Sequence, residues 1–500
     1  MASPFYFAPM QATAIIRRNA WAAWASLGLL LLVYALLWFQ AEGPAGGQDS
    51  WNHFLYARWA PFHPELLLDQ WGKPVFTLLA LPFAPFGIKG LYALNLLATL
   101  ATAWLGYLTC RRLGLRNPWM IIPLFGLQPL VLANVHSALT EPTNALILVA
   151  IVYLLASKRL MSAALVGSFL PYVRTEGFLL LGALALFLWV RSRYKLWPHL
   201  MIGSVLFAVL GAVVSGDWAW IVRQNPYVKQ EVEKRFDPGH GNFWHYADAQ
   251  REIWGPLVFG LMMVSLVLVL IYVFSRIKKK TPRELSQMAL WLWWPMFGVF
   301  FLAHSWVWYS GTYGSHGLLR PFVVIAPLAA FLAHYSLHRL MILDIAILNR
   351  SAKIGVLLAM AAAAYPGAGF PYPWQPGTPI GGYEGSAQID QALTFIEKEH
   401  LLEQPGAVLV HQLPELNVRL DLDPWASPEQ AKTFYMWSID KRPGQDWMPE
   451  GAVLLWDNFH ARRDAPMPLS DLQALPQYRE VAQFLSPSDS LYDVRVWVKD

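Results

Sequence analysis

Charge is scarce in this chain. Of its 500 residues, 14% are Asp, Glu, Lys or Arg, where an ordinary soluble domain carries roughly 25%. The shortfall is uneven: residues 1–366 are mostly apolar runs, and most of the charge lies in short links and after residue 366. Cysteine is almost missing. The single Cys110 excludes an internal disulfide and a zinc cluster built on thiolates. No Gly-x-x-x-x-Gly-Lys-Ser/Thr or Gly-x-Gly-x-x-Gly loop occurs, so no nucleotide site is legible, and no His-Glu-x-x-His or other metal spacing joins the histidines. No internal repeat is evident. The net charge of +5 does not imply nucleic-acid binding, because the basic residues cluster in the links where a membrane topology needs them.

What is present is length in the apolar runs. A spanning helix needs about 20 apolar residues, with a range of about 17–25. Runs at 20–39, 90–109, 118–136, 142–157, 160–173, 177–190, 199–215, 256–275, 287–303, 318–337 and 352–366 give about eleven candidate transmembrane helices. The first follows Arg17-Arg18 and is long enough to span, so it does not read as a cleaved signal. The runs 160–173 and 177–190 are short, and their ends should be shielded by protein. Residues 74–87 are apolar but broken by prolines and too short to span, which suits an interfacial or re-entrant piece. With these spans the clusters around Arg17, Arg111, Lys158, Arg191, Lys278 and Arg339 fall on one side, which should be cytoplasmic. The other side receives 40–73, 137–141, 174–176, 216–255, 304–317 and everything after 366.

The last segment has a different character. Residues 371–377 read as a Pro-rich linker, 386–400 as a helix, Ala407–His411 and Ala452–Trp456 as buried strands, and Tyr492–Val498 as an alternating edge strand. The expectation is a polytopic α-helical membrane protein over 1–366 with a small α/β domain over 367–500, the N-terminus cytoplasmic and the C-terminal domain extracytoplasmic.

The outer links hold the residues able to do chemistry. The stretch Gly46-Gly-Gln-Asp-Ser-Trp-Asn-His53, continuing to Trp71-Gly-Lys-Pro74, gathers Asp49, His53, Glu65, Asp69 and Lys73 among aromatics. One carboxylate in such a setting can be tuned as a general base; its plain alternative is a helix N-cap. Glu141 in Leu139-Thr-Glu-Pro142 invites the same two readings, with Thr140 as the cap. Arg174-Thr-Glu176 lies in a very short link, where charge is expensive and by default functional. Its alternative is an Arg174–Glu176 or Arg174–Glu141 pair that only joins helices. Arg320 opens an apolar run with Pro321 and follows the loop containing His316. Its planar fork of donors suits a phosphate, and snorkelling at a helix end is the alternative.

The order of these motifs, Gln48-Asp49-Ser50, Thr140-Glu141-Pro142, Arg174-Thr-Glu-Gly177 and Leu319-Arg320-Pro321, over roughly residues 20–340, resembles the GT-C glycosyltransferases. The branch it is most similar to is the polyprenyl-phosphate-mannose-dependent mannosyltransferases, and Gly451–Asp457 resembles the tails of bacterial members. The resemblance implies a bacterial inner-membrane enzyme that moves a sugar, mannose in that branch, with inversion, from a polyprenyl-phosphate donor to the hydroxyl of a glycan or lipid-linked acceptor. Asp49 and Glu141 would be the catalytic carboxylates. Arg174, Glu176, Arg320, His53, Lys73 and His316 would hold substrate and phosphate. Many relatives carry two adjacent acids or Asp-x-Asp in the first loop; Ser50 and Trp51 follow Asp49 here, which favours a single base and supports no divalent metal or other cofactor. A transporter or flippase for a polar or lipid-linked substrate is the rival class.

Overall fold

The computed structural model describes residues 9–41, 43–226, 239–276, 284–342, 355, 385–404, 406–427, 429–435, 450–463, 467–487 and 489–500. The expected span 352–366, the linker and the domain boundary at 366/367 lie outside them, apart from residue 355.

The membrane part opens with α1 (Pro9–Gln40), α2 (Gln48–Trp59), α3 (Pro74–Ala80), α4 (Ile88–Arg112), α5 (Ile121–Gly126) and α6 (Pro129–Asn134). It continues with α7 (Glu141–Ala156), α8 (Leu160–Gly167) and α9 (Gly177–Val190). Then come α10 (Tyr194–Ser215), α11 (Pro256–Arg276), α12 (Glu284–Ser310) and α13 (Arg320–Ile342). Among the described residues six helices are long and apolar enough to cross a membrane: Asn19–Gln40 of α1, α4, α10, Pro256–Phe274 of α11, α12 and α13. Glu141–Ala156, Leu160–Tyr172 and Gly177–Val190 are shorter apolar helices. As expected for such lengths, they meet protein at one end: Leu170, Val173 and Gly177 are buried, and a Cβ on Gly177 would lie 2.3 Å from the Leu170 carbonyl.

The run 118–136 is not one helix. Pro129 has no N–H to give and its ring excludes a helical carbonyl four residues back, so the chain turns extended at Gln128 and restarts as α6. The Gln128 amide mends the break by donating to the Leu124 and Ala326 carbonyls at 2.9 and 3.0 Å. Such a break is tolerated in a membrane only inside protein, and Gln128 is buried.

Helix α13 is the centre. From Pro321 to Ala333 its side chains are all apolar and all buried, packed by α11 and α5. Helices α10 and α11 are outermost and expose Val205, Val213, Val267, Ile271 and Phe274, the pattern of a lipid-facing surface. At one end of the bundle Arg116 donates to the Met341 carbonyl and Arg191 lies 4.0 Å from Glu284. The acids and arginines of the candidate site lie at the other end.

The C-terminal domain holds a five-stranded sheet, β1 (Leu409–His411), β2 (Thr433–Tyr435), β3 (Val453–Asp457), β4 (Tyr478–Phe484) and β5 (Val494–Lys499), in the order β2-β1-β3-β5-β4. Strands β2, β1 and β3 are parallel, and β5 is antiparallel to both β3 and β4. One face packs on α14 (Ser386–Lys398) through Ile389, Ala392 and Ile396. The expected edge strand near Tyr492 is therefore interior. It alternates because Val494 and Val496 face α14 while Arg495 faces away and pairs with Glu480 on β4 at 2.9 Å. The true edges, β2 and β4, carry too much polar sequence to announce themselves.

This domain is docked on the membrane part. Helix α15 (Pro414–Arg419) packs on α2, and Val418 joins Phe54, Ala57 and Phe76. Beyond it Asp423 bonds His63 at 2.8 Å, Asp421 bonds Arg58 at 3.3 Å, and Trp425 meets Tyr56 edge-on at 5.0 Å. The His63–Asp423 contact is mostly shielded from solvent, and charge-assisted bonds of this kind contribute about 1.5–3 kcal/mol. Asp423→Ala should therefore speed amide exchange in Tyr56–His63 by about tenfold or more and leave β1, β3 and β5 unchanged; hydrogen-exchange mass spectrometry reads both regions in one experiment.

Candidate active site

Helix α2 begins at Gly47, whose φ of 57° suits glycine, and no side chain caps it. Asp49 sits inside the first turn and is not the N-cap. Its carboxylate bonds the Arg320 guanidinium at the start of α13. A second Arg320 nitrogen donates to the Gly46 carbonyl at 3.0 Å, and its Nε lies 3.7 Å from Glu141.

Glu141, the first residue of α7, is 1% exposed and also meets Arg174 at 2.7 Å. Thr140 occupies the N-cap position, but its hydroxyl accepts from Arg174 at 2.9 Å and does not cap the helix. Arg174 continues to Glu176 at 2.7 Å, and Glu176 lies 3.6 Å from His304 near the end of α12. The result is a ladder of alternating sign, Asp49, Arg320, Glu141, Arg174 and Glu176, with the His304 ring at its end. Both pairs that the sequence allowed for Arg174 form at once. Lys73, at φ 66° and 6% exposed, donates to the Thr175 hydroxyl at 2.9 Å, which places a third cation beside the ladder.

The backbone around the ladder is fixed by small contacts. The Ser50 hydroxyl donates to the Ala45 carbonyl at 2.6 Å and accepts from the Ala138 amide at 3.1 Å. Ala45 and Ser137 form a parallel bridge. Asn95 of α4 holds the same link by donating to the Ser137 and Leu139 carbonyls at 2.7 and 2.9 Å. Gly46, at φ +86°, is in the left-handed region that favours glycine, and a Cβ there would meet the Leu139 side chain at 2.4 Å, so the approach of the first loop to the Glu141 link suits glycine.

His53 is buried, stacks on Trp71 with ring centres 4.7 Å apart, and lies edge-on to Phe76. Burial pushes its imidazole down to about 3, against the attraction of Asp49, so near neutral pH it offers a neutral ring and no cation. Asp69 is turned to its own backbone, accepting from the Trp71 and Gly72 amides at 2.7 and 2.6 Å. Glu65 is exposed and 3.6 Å from His63. His316 is exposed, at φ 49°, four residues before Arg320.

Asp49 and Glu176 are half-buried beside cations. For Asp49, burial works to raise the carboxyl, but the bonded Arg320, helped by Arg174, outweighs it and holds the group below the usual carboxylate range. For Glu176 burial is likewise overcome, by Arg174 and then His304, and the carboxyl falls to about 2. Sequence reasoning gave Thr140 only the part of a helix cap, and Thr175 and Asn95 no part as site residues. Their roles come from contacts 34, 102 and 42 residues away in the chain, and no local pattern signals them.

The Glu176 shift has a sign that can be checked. An acid whose folded value is depressed adds stability above its unfolded value, about 4.3, and loses it as pH falls through the folded value, here about 2. The melting midpoint of the wild type should exceed that of Glu176→Gln by a constant amount between pH 6 and 8. The gap should narrow from about pH 4 downward; a gap independent of pH would remove Glu176 from the ion-pair ladder.

No protein-family model matches the chain, and no curated protein matches it. Among solved structures, the crystal structure of ArnT from Cupriavidus metallidurans bound to undecaprenyl phosphate is similar, with a TM-score of 0.51 and 13% identity over 95% of this chain and 97% of that one. An identity this low speaks to architecture alone, but the coverage takes in the membrane part and the C-terminal domain together. The chain shares the polytopic membrane fold of that protein, with its C-terminal domain included.

Proposed function

We propose that this protein is an integral-membrane glycosyltransferase that transfers a sugar, a mannosyl group in the branch it resembles, from a polyprenyl-phosphate donor to a hydroxyl of a glycan or lipid-linked acceptor. The observation that carries this reading is the ladder. Three carboxylates (Asp49, Glu141, Glu176) and three cations (Arg174, Arg320, Lys73) converge at one end of the bundle. The fold is shared with a protein whose structure holds undecaprenyl phosphate, and that ligand suits a site with two arginines and a lysine beside an apolar helix bundle.

The chemistry then follows from charge. The acceptor oxygen attacks the anomeric carbon, its proton passes to Asp49, and the bond from the anomeric carbon to the phosphate oxygen breaks with the electron pair staying on phosphate. Inversion results from this single displacement. Negative charge grows on the leaving phosphate, where the Arg320 and Arg174 guanidinium groups can stabilise it. Arg320 is bonded to Asp49 and holds its carboxyl below the usual carboxylate range, which makes it a weak base. A phosphate that draws Arg320 away restores proton affinity to Asp49, so donor binding prepares the base. Glu141, held by both arginines, keeps them aimed between the two groups. His53 contributes a neutral face beside Asp49, and no metal is needed to balance the site.

The transporter alternative requires a polar path across the membrane. Residues 321–333 of the central helix are wholly apolar, and the ladder of ion pairs around Glu141 stays at one end. In this reading that end, with the C-terminal domain, is extracytoplasmic and the membrane is the bacterial inner membrane. A reporter fused after Asp500 should be protease-accessible from outside intact spheroplasts; protection there would overturn the orientation.

The catalytic assignment rests on two substitutions in one assay. Asp49→Asn keeps the shape but cannot accept the proton, so transfer from undecaprenyl-phosphate mannose should fall roughly 10²–10⁴-fold with normal expression. Arg320→Lys keeps the charge but loses the planar fork, and should be impaired nearly as much as Arg320→Ala. Wild-type turnover in Asp49→Asn would exclude it as the base.

A further inference from the structure

Asn144 is the polar group that the ladder leaves unexplained. It is 0% exposed, and neither its amide oxygen nor its amide nitrogen has a hydrogen-bond partner among the described residues. Leaving such a group unsatisfied is costly, and native proteins rarely do so without a function or a bound molecule. Its position in the helix is informative. Asn144 lies three residues after Glu141 on α7, so it shares the face of Glu141 one turn further from the helix start. That face is the one Arg174 and Arg320 approach. Two further buried atoms without partners belong to α2 beside Asp49, namely Gln48 Oε1 and His53 Nδ1. Unsatisfied polar atoms thus collect on both sides of the ion pairs, where a molecule rich in hydroxyl groups would satisfy them.

We propose that Asn144 is a specificity residue that binds hydroxyl groups of the donor sugar, its amide serving as donor to one and acceptor from the next. This rests on the glycosyltransferase reading and adds to it the direction in which the sugar lies. The phosphate sits at the arginines, and the glycosyl ring extends from there along α7 past Glu141. A sugar with two free vicinal hydroxyls would satisfy both atoms of the amide, and one lacking them would leave the amide unpaired. Sites built on such bonds discriminate strongly against analogues that lack the group.

The test uses the full-length protein in detergent and three probes: no lipid, undecaprenyl phosphate, and undecaprenyl phosphate carrying mannose, glucose or N-acetylglucosamine. Thermal midpoints are compared between wild type and Asn144→Leu, which is similar in volume and has no polar atoms. Undecaprenyl phosphate alone should raise the midpoint equally in both. At least one sugar-bearing lipid should raise it further in the wild type, and that increment should vanish in Asn144→Leu, with KM for that donor rising roughly tenfold or more. The unliganded variant should be at least as stable as the wild type, because an unsatisfied amide has been removed. If Asn144→Leu does not express, Asn144→Ala removes the amide without adding bulk and is read in the same way. An increment retained in the variant, or absent from the wild type with every sugar, overturns the proposal and leaves the phosphate site standing. No response to undecaprenyl phosphate in either protein overturns the functional reading itself.

Discussion

Glu141 has to be neutralised from within the protein. It is 1% exposed at one end of a nearly apolar bundle, where an uncompensated charge is strongly destabilising. Arg174 from the link before α9 and Arg320 from the start of α13 both reach it. Two guanidinium groups on one carboxylate leave an excess of positive charge, and that excess fixes the next partners: Asp49 on Arg320 and Glu176 on Arg174. One buried acid therefore ties the first outer helix, the start of α7, the link to α9 and the start of the central helix into a single polar unit. Such a unit is poor evidence for stability as such, since apolar groups of the same volume often hold helices as well. It is better evidence for a site whose charges are kept for a ligand.

The irregular backbone serves the same end of the bundle. The pairing of Arg320 with the first loop depends on Gly46, which lets that loop lie against Leu139. The link that carries Glu141 is held by Asn95 and Ser50, and the helix before it is broken at Pro129. Non-helical backbone at membrane depth survives only where protein or a cavity satisfies it. Here side-chain amides and hydroxyls do so at Gln128, Asn95 and Ser50, and the polar links are carried into the protein instead of being left at the lipid surface.

What could be read from the chain differs by range. The apolar runs are local signals with a length set by the bilayer, so six long spans and three short ones follow the sequence closely. The Arg174, Glu176 and Glu141 contacts were foreseeable because a short link leaves those charges no other place to go. Asp49 and Arg320 were legible singly, through their motifs, but their bond joins residues 271 apart and no periodicity encodes it. The interior place of β5 was hidden for a related reason. An alternating pattern marks a strand with two unlike faces, and β4 supplies a polar partner for the outward Arg495 without announcing itself as a strand. The break before α6 was visible as Pro129, though its tolerance depended on Gln128 reaching a carbonyl almost two hundred residues away.

The docking of the C-terminal domain bears on Asp49 through α2. That helix has 12 residues, near the lower limit at which an isolated helix persists in water, and no side chain caps its start. At one end it carries the carboxylate that meets Arg320. Toward the other end and just past it, Arg58 and His63 are held by Asp421 and Asp423, while Tyr56 meets Trp425. Between these ends Phe54 and Ala57 pack on Phe76, and the Ser50 hydroxyl bonds the Ala45 and Ala138 backbone. The place of Asp49 therefore does not rest on its own ion pair alone, and the α/β domain adds to the support of the helix from which it projects.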